Sequence, residues 1–256
     1  MIKFMKTYWK TLLFFVVAGL LGGFFTGLYL LDSYSEEIRQ QIIDSMSGSL
    51  PVNVMLGIIS AMQAAVYGLL LGSLGIFLGK KTGLWKDESS ISKKPLLITL
   101  IIAVIGGIVL ILSDIWFFGQ YSKPILDSYA IRPTIPYMIA SVIYGGIIEE
   151  VMLRLFMLSA IAFLLHKVFG KNAEKPTTGI LVAANIVAAA LFAAGHLPAT
   201  FSILGSSPMI IVRCFLLNGG FGLLFGYLYR KYGLRYSMIA HAGCHIVSKL
   251  IWILFI

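Results

Sequence analysis

The sequence predicts an all-α protein, a polytopic bundle of about seven to eight transmembrane helices. Hydrophobic residues make up 59% of the 256 residues and charged residues only 12%, which is about half the charged share of an ordinary soluble domain. The mean hydropathy is +0.91, and the apolar residues stand in long runs. A chain of this composition is expected to be embedded in lipid.

Seven apolar runs reach the roughly 20 residues that a helix needs to cross the hydrocarbon core of a bilayer. They lie at about 9–31, 51–79, 95–119, 135–166, 178–206, 208–229 and 235–256. The first run is too long for a signal-peptide core and no small-residue cleavage site follows it, so we expect it to be retained. Since no repeat or low-complexity tract separates the runs, residues 1–256 are predicted to form a single integral membrane domain.

The basic residues cluster on one predicted side of the membrane. The net charge of +9 would also suit a nucleic-acid-binding protein, so the position of each Lys and Arg decides between the two interpretations. If the N-terminus is cytoplasmic, fourteen of the twenty Lys and Arg fall in cytoplasmic segments, three outside and three within spans. This positive-inside bias predicts a multi-pass protein of a bacterial cell membrane with a cytoplasmic N-terminus, and no basic stripe remains for nucleic acid.

Ionisable residues inside apolar spans cost a few kcal/mol on insertion scales, so each one needs a partner or a function. Those of the fourth, fifth and seventh runs are Glu149, Glu150, Arg154, His196, His241 and His245. Arg213 and Lys249 lie nearer the ends of their runs, and we expect both to reach the interface as anchors. Cys214 and Cys244 are too few for a disulfide framework.

The fourth run holds two adjacent carboxylates with different surroundings. Glu150 and Arg154 are four residues apart, which puts them on one helix face and predicts an ion pair. Glu149 points about 100° away and has no opposite charge in its own run, so it is a candidate general acid or base. A purely structural ion network is the alternative for this group.

Three histidines are candidate site residues because they lie in apolar runs, as the two carboxylates do. His241 and His245 are four residues apart on one face, a spacing that also occurs in metal pairs. His196 precedes Pro198, which is expected to break or kink its helix. A residue count places His196 and His241 at different depths, so they meet only if residues 177–184 lie at the interface and the fifth span runs to about Leu204, or if the helix is interrupted at Pro198.

Three motifs together resemble those of the CAAX protease and bacteriocin-processing family, also called the Abi or CPBP family. They are Glu149-Glu150-x-x-x-Arg154, Phe192-x-x-x-His196 and His241-x-x-x-His245. The resemblance covers about 135–250. It implies an intramembrane endopeptidase acting on a peptide or protein at the membrane, with lipid as its surroundings and no nucleic-acid partner.

The resemblance implies that Glu149 and His196 activate water without a cofactor, while His241 and His245 stabilise the oxyanion or position the substrate. Glu150 and Arg154 then support the helix that carries Glu149. The family's third motif commonly ends in asparagine, whereas this chain has His245. A neutral histidine donates a hydrogen bond from only one nitrogen, so a zinc site made of the histidines and a carboxylate stays an alternative.

Two other functions stay open at the level of the sequence. The carboxylates and histidines would also suit the proton relay of a transporter, although no duplicated halves are detectable. A non-catalytic immunity or regulatory partner of another membrane protein is the second. The substrate itself, whether prenylated protein, peptide precursor or membrane segment, is not revealed by these residues.

Overall fold

The fold is a bundle of helices joined by short connections. The computed structural model describes residues 2–46, 48–87, 91–170 and 173–256, and within these ranges there is no strand. The helices are α1 (Ile2–Leu30), α2 (Glu36–Ser45), α3 (Val52–Thr82), α4 (Lys93–Leu112), α5 (Lys123–Tyr129), α6 (135–169), α7 (Thr178–Leu204), α8 (208–232) and α9 (Leu234–Phe255). The predicted all-helical polytopic bundle is confirmed.

Three of these helices depart from regular α-helical geometry. After α4 the chain continues through a π-helical turn, Ser113–Phe117, and a 3-10 turn, Phe118–Gln120. The central part of α6 is π-helical in two stretches, Ser141–Glu149 and Val151–Leu158, and α8 has one such stretch at Phe215–Gly219. Because π-helical turns concentrate at functional sites, their presence around Glu149 is notable.

Six helices among the described residues are long and apolar enough to cross a membrane: α1, α3, α4 with its extension, α7, α8 and α9. The predicted span at 135–166 is helical throughout as part of α6, but it is not one of these six. It differs from them because it carries the intramembrane charges Glu149, Glu150 and Arg154 and contains the two π-helical stretches. Against the expected seven to eight spans, the described residues therefore contain six helices that meet the length and hydropathy of a span.

Small residues let α1 and α3 pack backbone to backbone. Gly19, Gly23 and Gly27 recur every four residues on the face of α1 that meets α3, and a methyl group on Gly19 would lie 2.6 Å from the Ala64 carbonyl oxygen. Gly68 of α3 approaches the backbone of Phe15 in the same way. Such small-residue faces are the usual means of helix association in lipid, where no hydrophobic effect draws helices together.

Helix α6 occupies the centre of the bundle. Ile148, Val151, Leu155 and Leu158 on this helix are completely buried. Helices α1 and α3 pack on one side of α6, and α7 and α9 pack on the others. Glu150 and Arg154 of this helix are therefore held inside the protein, where they are 0% and 1% exposed.

The turn between α8 and α9 sets the position of α9. Gly233 has φ +110°, a backbone conformation that residues with a side chain rarely adopt. It lets α9 begin at Leu234, directly after α8 ends at Tyr232. Helix α9 then runs back through the bundle and brings its histidines against α6.

Candidate active site

Three helices bring a carboxylate and two imidazoles together in the middle of the bundle. Glu149 is the last residue of the first π-helical stretch of α6, His196 lies in α7 and His241 in α9. Oε1 of Glu149 is 3.9 Å from Nε2 of His196, and Oε2 is 3.9 Å from Nε2 of His241. The Glu149 carboxylate therefore lies between two ring nitrogens, at distances that one water molecule would bridge.

Both imidazoles are oriented by a contact at their other nitrogen. Nδ1 of His196 lies 2.9 Å from the carbonyl oxygen of Phe192, and Nδ1 of His241 lies 2.9 Å from Oε1 of Glu150. A carbonyl and a carboxylate only accept hydrogen bonds, so each Nδ1 carries the hydrogen. In the neutral ring, Nε2 is then the acceptor, and both acceptors face Glu149.

Aromatic rings hold these imidazoles in place. Phe225 stacks on His241 with ring centroids 4.6 Å apart, and Phe192 meets His196 edge to face at 4.5 Å. Each histidine is thereby restrained in two directions, by a hydrogen bond in its plane and by a ring beside it. Such restraint keeps catalytic groups close to a single geometry.

Glu150 and Arg154 form the predicted ion pair. NH2 of Arg154 is 3.4 Å from Oε1 of Glu150, and the side chains are 1% and 0% exposed. The guanidinium also lies over the rings of Phe192 at 4.8 Å and Phe225 at 5.7 Å. The same Glu150 oxygen contacts His241, so this pair connects the buried cation to the orientation of a site histidine.

His245 lies next to His241 on α9 and faces α6. Their ring centroids are 5.0 Å apart. A methyl group on Gly145 would lie 3.0 Å from Nε2 of His245, and one on Gly146 would lie 2.6 Å from Cβ of Ala242. The two glycines are thus a close-packing site, and Gly145 leaves the space that His245 occupies.

Lys249 is not the interfacial anchor that its position predicted. Its residue exposure is 6%, and its Nζ lies 3.5 Å from Nδ1 of His245 and 4.6 Å from the centroid of the Tyr137 ring. The prediction is wrong because the neighbouring start of α6 covers the position where the lysine would have reached the interface. The ammonium group is directed back towards the histidines.

Arg213 is also an internal residue rather than an anchor. Its guanidinium donates to both carboxylate oxygens of Asp114, a residue 1% exposed in its side chain. The Tyr129 hydroxyl donates to Oδ2 of Asp114 at 2.8 Å, and burial raises the pKa of Tyr129, which therefore stays a donor. The sequence interpretation missed this cluster because Asp114 and Arg213 lie 99 residues apart.

A cavity of about 480 Å³ connects these groups. Glu149, His196 and His241 line it in the middle of the bundle, and Tyr29 and Trp252 line it near the face where α1 and α9 end. The volume is in the range of sites that enclose small molecules or short peptide segments. Polar groups at one end and a mostly apolar wall suit a substrate that arrives from the bilayer.

Helix α7 passes through Pro198 without a break. It extends from Thr178 to Leu204 with Pro198 inside it, so of the break or kink that was expected at this proline, a break is not observed. Of the two arrangements that would let His196 meet His241, the long helix to Leu204 is the one observed.

The zinc alternative requires the site histidines and a carboxylate to converge on one metal ion. Zinc sites need three or four ligand atoms at about 2.0–2.3 Å, and among the described ranges no group of three or more His, Cys, Asp or Glu residues has that placement. Nδ1 of both His196 and His241 is bound to a protein oxygen, a contact that metal-ligating histidines also make through their second nitrogen. Independence of metal stays a prediction, for which a chelation experiment is given below.

The comparisons with known proteins agree with the motifs. Residues 131–247 match the family model described as type II CAAX prenyl endopeptidase Rce1-like. This range overlaps the predicted core at about 135–250 and contains all three motifs, so the resemblance stated above is confirmed. No curated protein and no solved structure matches the chain.

Proposed function

Because residues 131–247 match the family model of Rce1-like type II CAAX prenyl endopeptidases, we propose that this multi-pass membrane protein hydrolyses a peptide bond inside the bilayer with Glu149 and His196. The substrate is a prenylated or otherwise membrane-associated peptide or protein, and lipid is the other partner. The observation that carries the proposal is the Glu149 carboxylate held 3.9 Å from Nε2 of His196. No nucleic-acid partner is involved.

Water activation follows from the hydrogen positions at this pair. Nε2 of His196 is an acceptor because Nδ1 donates to the Phe192 carbonyl, and the Glu149 carboxylate is also an acceptor. A water molecule between them donates one hydrogen to each, so its oxygen lone pair is directed at the substrate. As this oxygen attacks the peptide carbonyl carbon, Glu149 takes the proton as a general base.

The second half of the reaction returns that proton. The carbonyl π electrons move to the oxygen and form a tetrahedral oxyanion, and its collapse breaks the C–N bond. Glu149 passes the proton to the departing nitrogen, which leaves as an amine. A hydrogen-bond donor aimed at the oxyanion in this water-poor cavity contributes several kcal/mol to the rate, and His245 is the candidate donor.

His241 has a positioning role in this scheme. Its Nδ1 is bound to Glu150, so the neutral ring offers no hydrogen at Nε2, and donation to an oxyanion would require a protonated ring. Glu150 and Arg154 keep this histidine in place and offset each other's charge in the interior. Residues 1–256 act as one membrane domain, since α1, outside the matched range, supplies part of the cavity wall.

The decisive experiment compares Glu149→Gln and His196→Ala with wild type. Two internally quenched peptides serve as probes, one with a prenylated cysteine three residues from its C-terminus and one without the prenyl group. Each variant should lose about 100-fold in kcat/KM, which is the contribution that a general base makes to the rate. Expression and thermal stability should not change. Glu37→Gln, at an exposed position, and His166→Ala, remote from the cavity, are the matched controls.

Two results would overturn this function. One is cleavage of neither probe by the wild-type protein, which would favour the transporter or the non-catalytic partner. The other is undiminished cleavage by Glu149→Gln, which would leave hydrolysis possible but remove the proposed base.

The N-terminus is proposed to be cytoplasmic, on the strength of the Lys and Arg bias described above. Both native cysteines are buried, so single cysteines can be labelled against a low background. Lys123→Cys should react with an impermeant maleimide in intact cells, and Lys94→Cys only after lysis. Labelling in the reverse order would invert the topology.

A further inference from the structure

Lys249 is a buried cation without an acidic partner. It is 6% exposed, and within the ranges that the structure describes no salt bridge joins it to an Asp or Glu. A charged side chain in a span is expensive and marks a function by default. The same helix face carries His245 four residues earlier, and Lys249 lines the active-site cavity with it.

The contact between Lys249 and His245 selects one form of the imidazole. Nζ of Lys249 lies 3.5 Å from Nδ1 of His245. A lysine ammonium has only donors, so the ring nitrogen that faces it has to be an acceptor. The hydrogen of the neutral His245 ring is then on Nε2, opposite to the arrangement in His196 and His241.

Nε2 of His245 faces the part of α6 that leads to Glu149. A methyl group on Gly145 would lie 3.0 Å from this nitrogen and 3.7 Å from Nε2 of His241. Gly145 is four residues before Glu149, so the three groups border one space. Among the three histidines of the site, His245 is the one whose neutral ring presents an N–H to that space.

We infer that Lys249 is a positioning residue that holds His245 in the Nε2–H tautomer, so that His245 donates a hydrogen bond to the substrate carbonyl oxygen. This inference rests on the proposed function for its catalytic meaning. The inference explains how a histidine at position 245 can replace the asparagine that the family commonly has there. An asparagine amide always offers a hydrogen-bond donor, whereas a neutral histidine has to be held in the right tautomer. Lys249 itself touches neither water nor substrate in this role.

A double-mutant cycle tests the inference, with the quenched peptides as probes. Lys249→Met removes the donor at similar volume and should lower kcat by at least tenfold with little change in KM. In a His245→Asn background the same substitution should change kcat less than twofold, because an amide needs no tautomer. Lys249→Arg, which keeps a donor, should recover activity in the histidine background.

Equal losses from Lys249→Met in both backgrounds would overturn the inference and indicate a direct substrate contact or a structural role. Thermal stability of all four proteins separates the structural role, since a folding defect would lower it in both backgrounds.

A second measurement does not depend on catalysis. The ring ¹⁵N chemical shifts of histidine-labelled protein distinguish the two tautomers, and the His245→Asn spectrum identifies the His245 signals. We expect a protonated Nε2 at His245 in wild type and a mixture of tautomers in Lys249→Met. A protonated Nδ1 in wild type would refute the inference, whereas failure of the proposed function alone would leave this spectrum unchanged.

Discussion

Two arginine–carboxylate pairs in the described part of the bundle differ in their geometry. Arg154 and Glu150 lie on one helix, four residues apart, and approach no closer than 3.4 Å. Arg213 and Asp114 lie on different helices and meet through two hydrogen bonds. The first pair contacts His241 through Glu150, whereas both members of the second pair line the cavity.

The difference shows that burial of a pair does not tell whether it serves stability or chemistry. The Asp114 pair satisfies both carboxylate oxygens and adds the Tyr129 hydroxyl, so it joins three segments of the chain. The Glu150 pair leaves the Arg154 nitrogens without hydrogen-bond partners, and the cation lies on two aromatic faces instead. Oε1 of Glu150 instead accepts the hydrogen bond from Nδ1 of His241, which indicates a role in positioning the site.

Glu150→Gln should have the largest effect and would break the first pair. It leaves Arg154 uncompensated in the interior, which costs about 3–5 kcal/mol in comparable buried pairs, and it weakens the hold on His241. We expect expression, thermal stability and peptide cleavage all to fall. In contrast, Glu149→Gln should lower cleavage alone.

Cleavage and stability close to wild type in Glu150→Gln would contradict this account of the first pair. The matched control is Glu37→Gln, which makes the same chemical change at an exposed position.

Asp114→Asn should have an intermediate effect and would break the second pair. It leaves Arg213 with a neutral partner, so the free energy of unfolding should fall by about 3 kcal/mol, seen as a lower melting temperature in detergent. Because Asp114 contacts none of the groups assigned to water activation, kcat of the folded protein should change little.

The double variant Asp114→Leu with Arg213→Met tests whether the second pair contributes only to stability. Replacing both partners of a buried pair by apolar residues is often neutral or stabilising, so the double variant should be more stable than either single variant. A loss of kcat in a well-folded double variant would instead assign the second pair to the catalytic machinery.

Chelation should have the smallest effect. Protein treated with EDTA and dialysed should keep its full cleavage rate, because the proposed reaction uses Glu149 and protein hydrogen bonds alone. A zinc-dependent enzyme would lose activity and regain it on addition of zinc. Activity that depends on added zinc, together with stoichiometric bound zinc, would replace the metal-free mechanism.

Much of the site could be predicted from local features of the sequence. Charged residues in apolar runs stand out without any knowledge of the fold, and the four-residue spacing of Glu150 and Arg154 predicts their contact. The interpretation was wrong for Arg213 and Lys249, because a position near a span end is compatible with both an interfacial and an internal side chain. Only neighbouring helices decide between them.

The sequence by itself determined that the chain is a helical membrane protein, where its apolar runs lie and which polar residues they carry, because hydrophobicity and helical spacing act over a few residues. The tertiary structure decided that Glu149 meets His196 and His241, that Asp114 pairs with Arg213 and that Lys249 is buried instead of reaching the interface. The contacts with His196, His241 and Arg213 join helices far apart along the chain, so they depend on the rotation and depth of each helix in the bundle. The packing of the whole chain sets that rotation and depth, which no short stretch of sequence encodes.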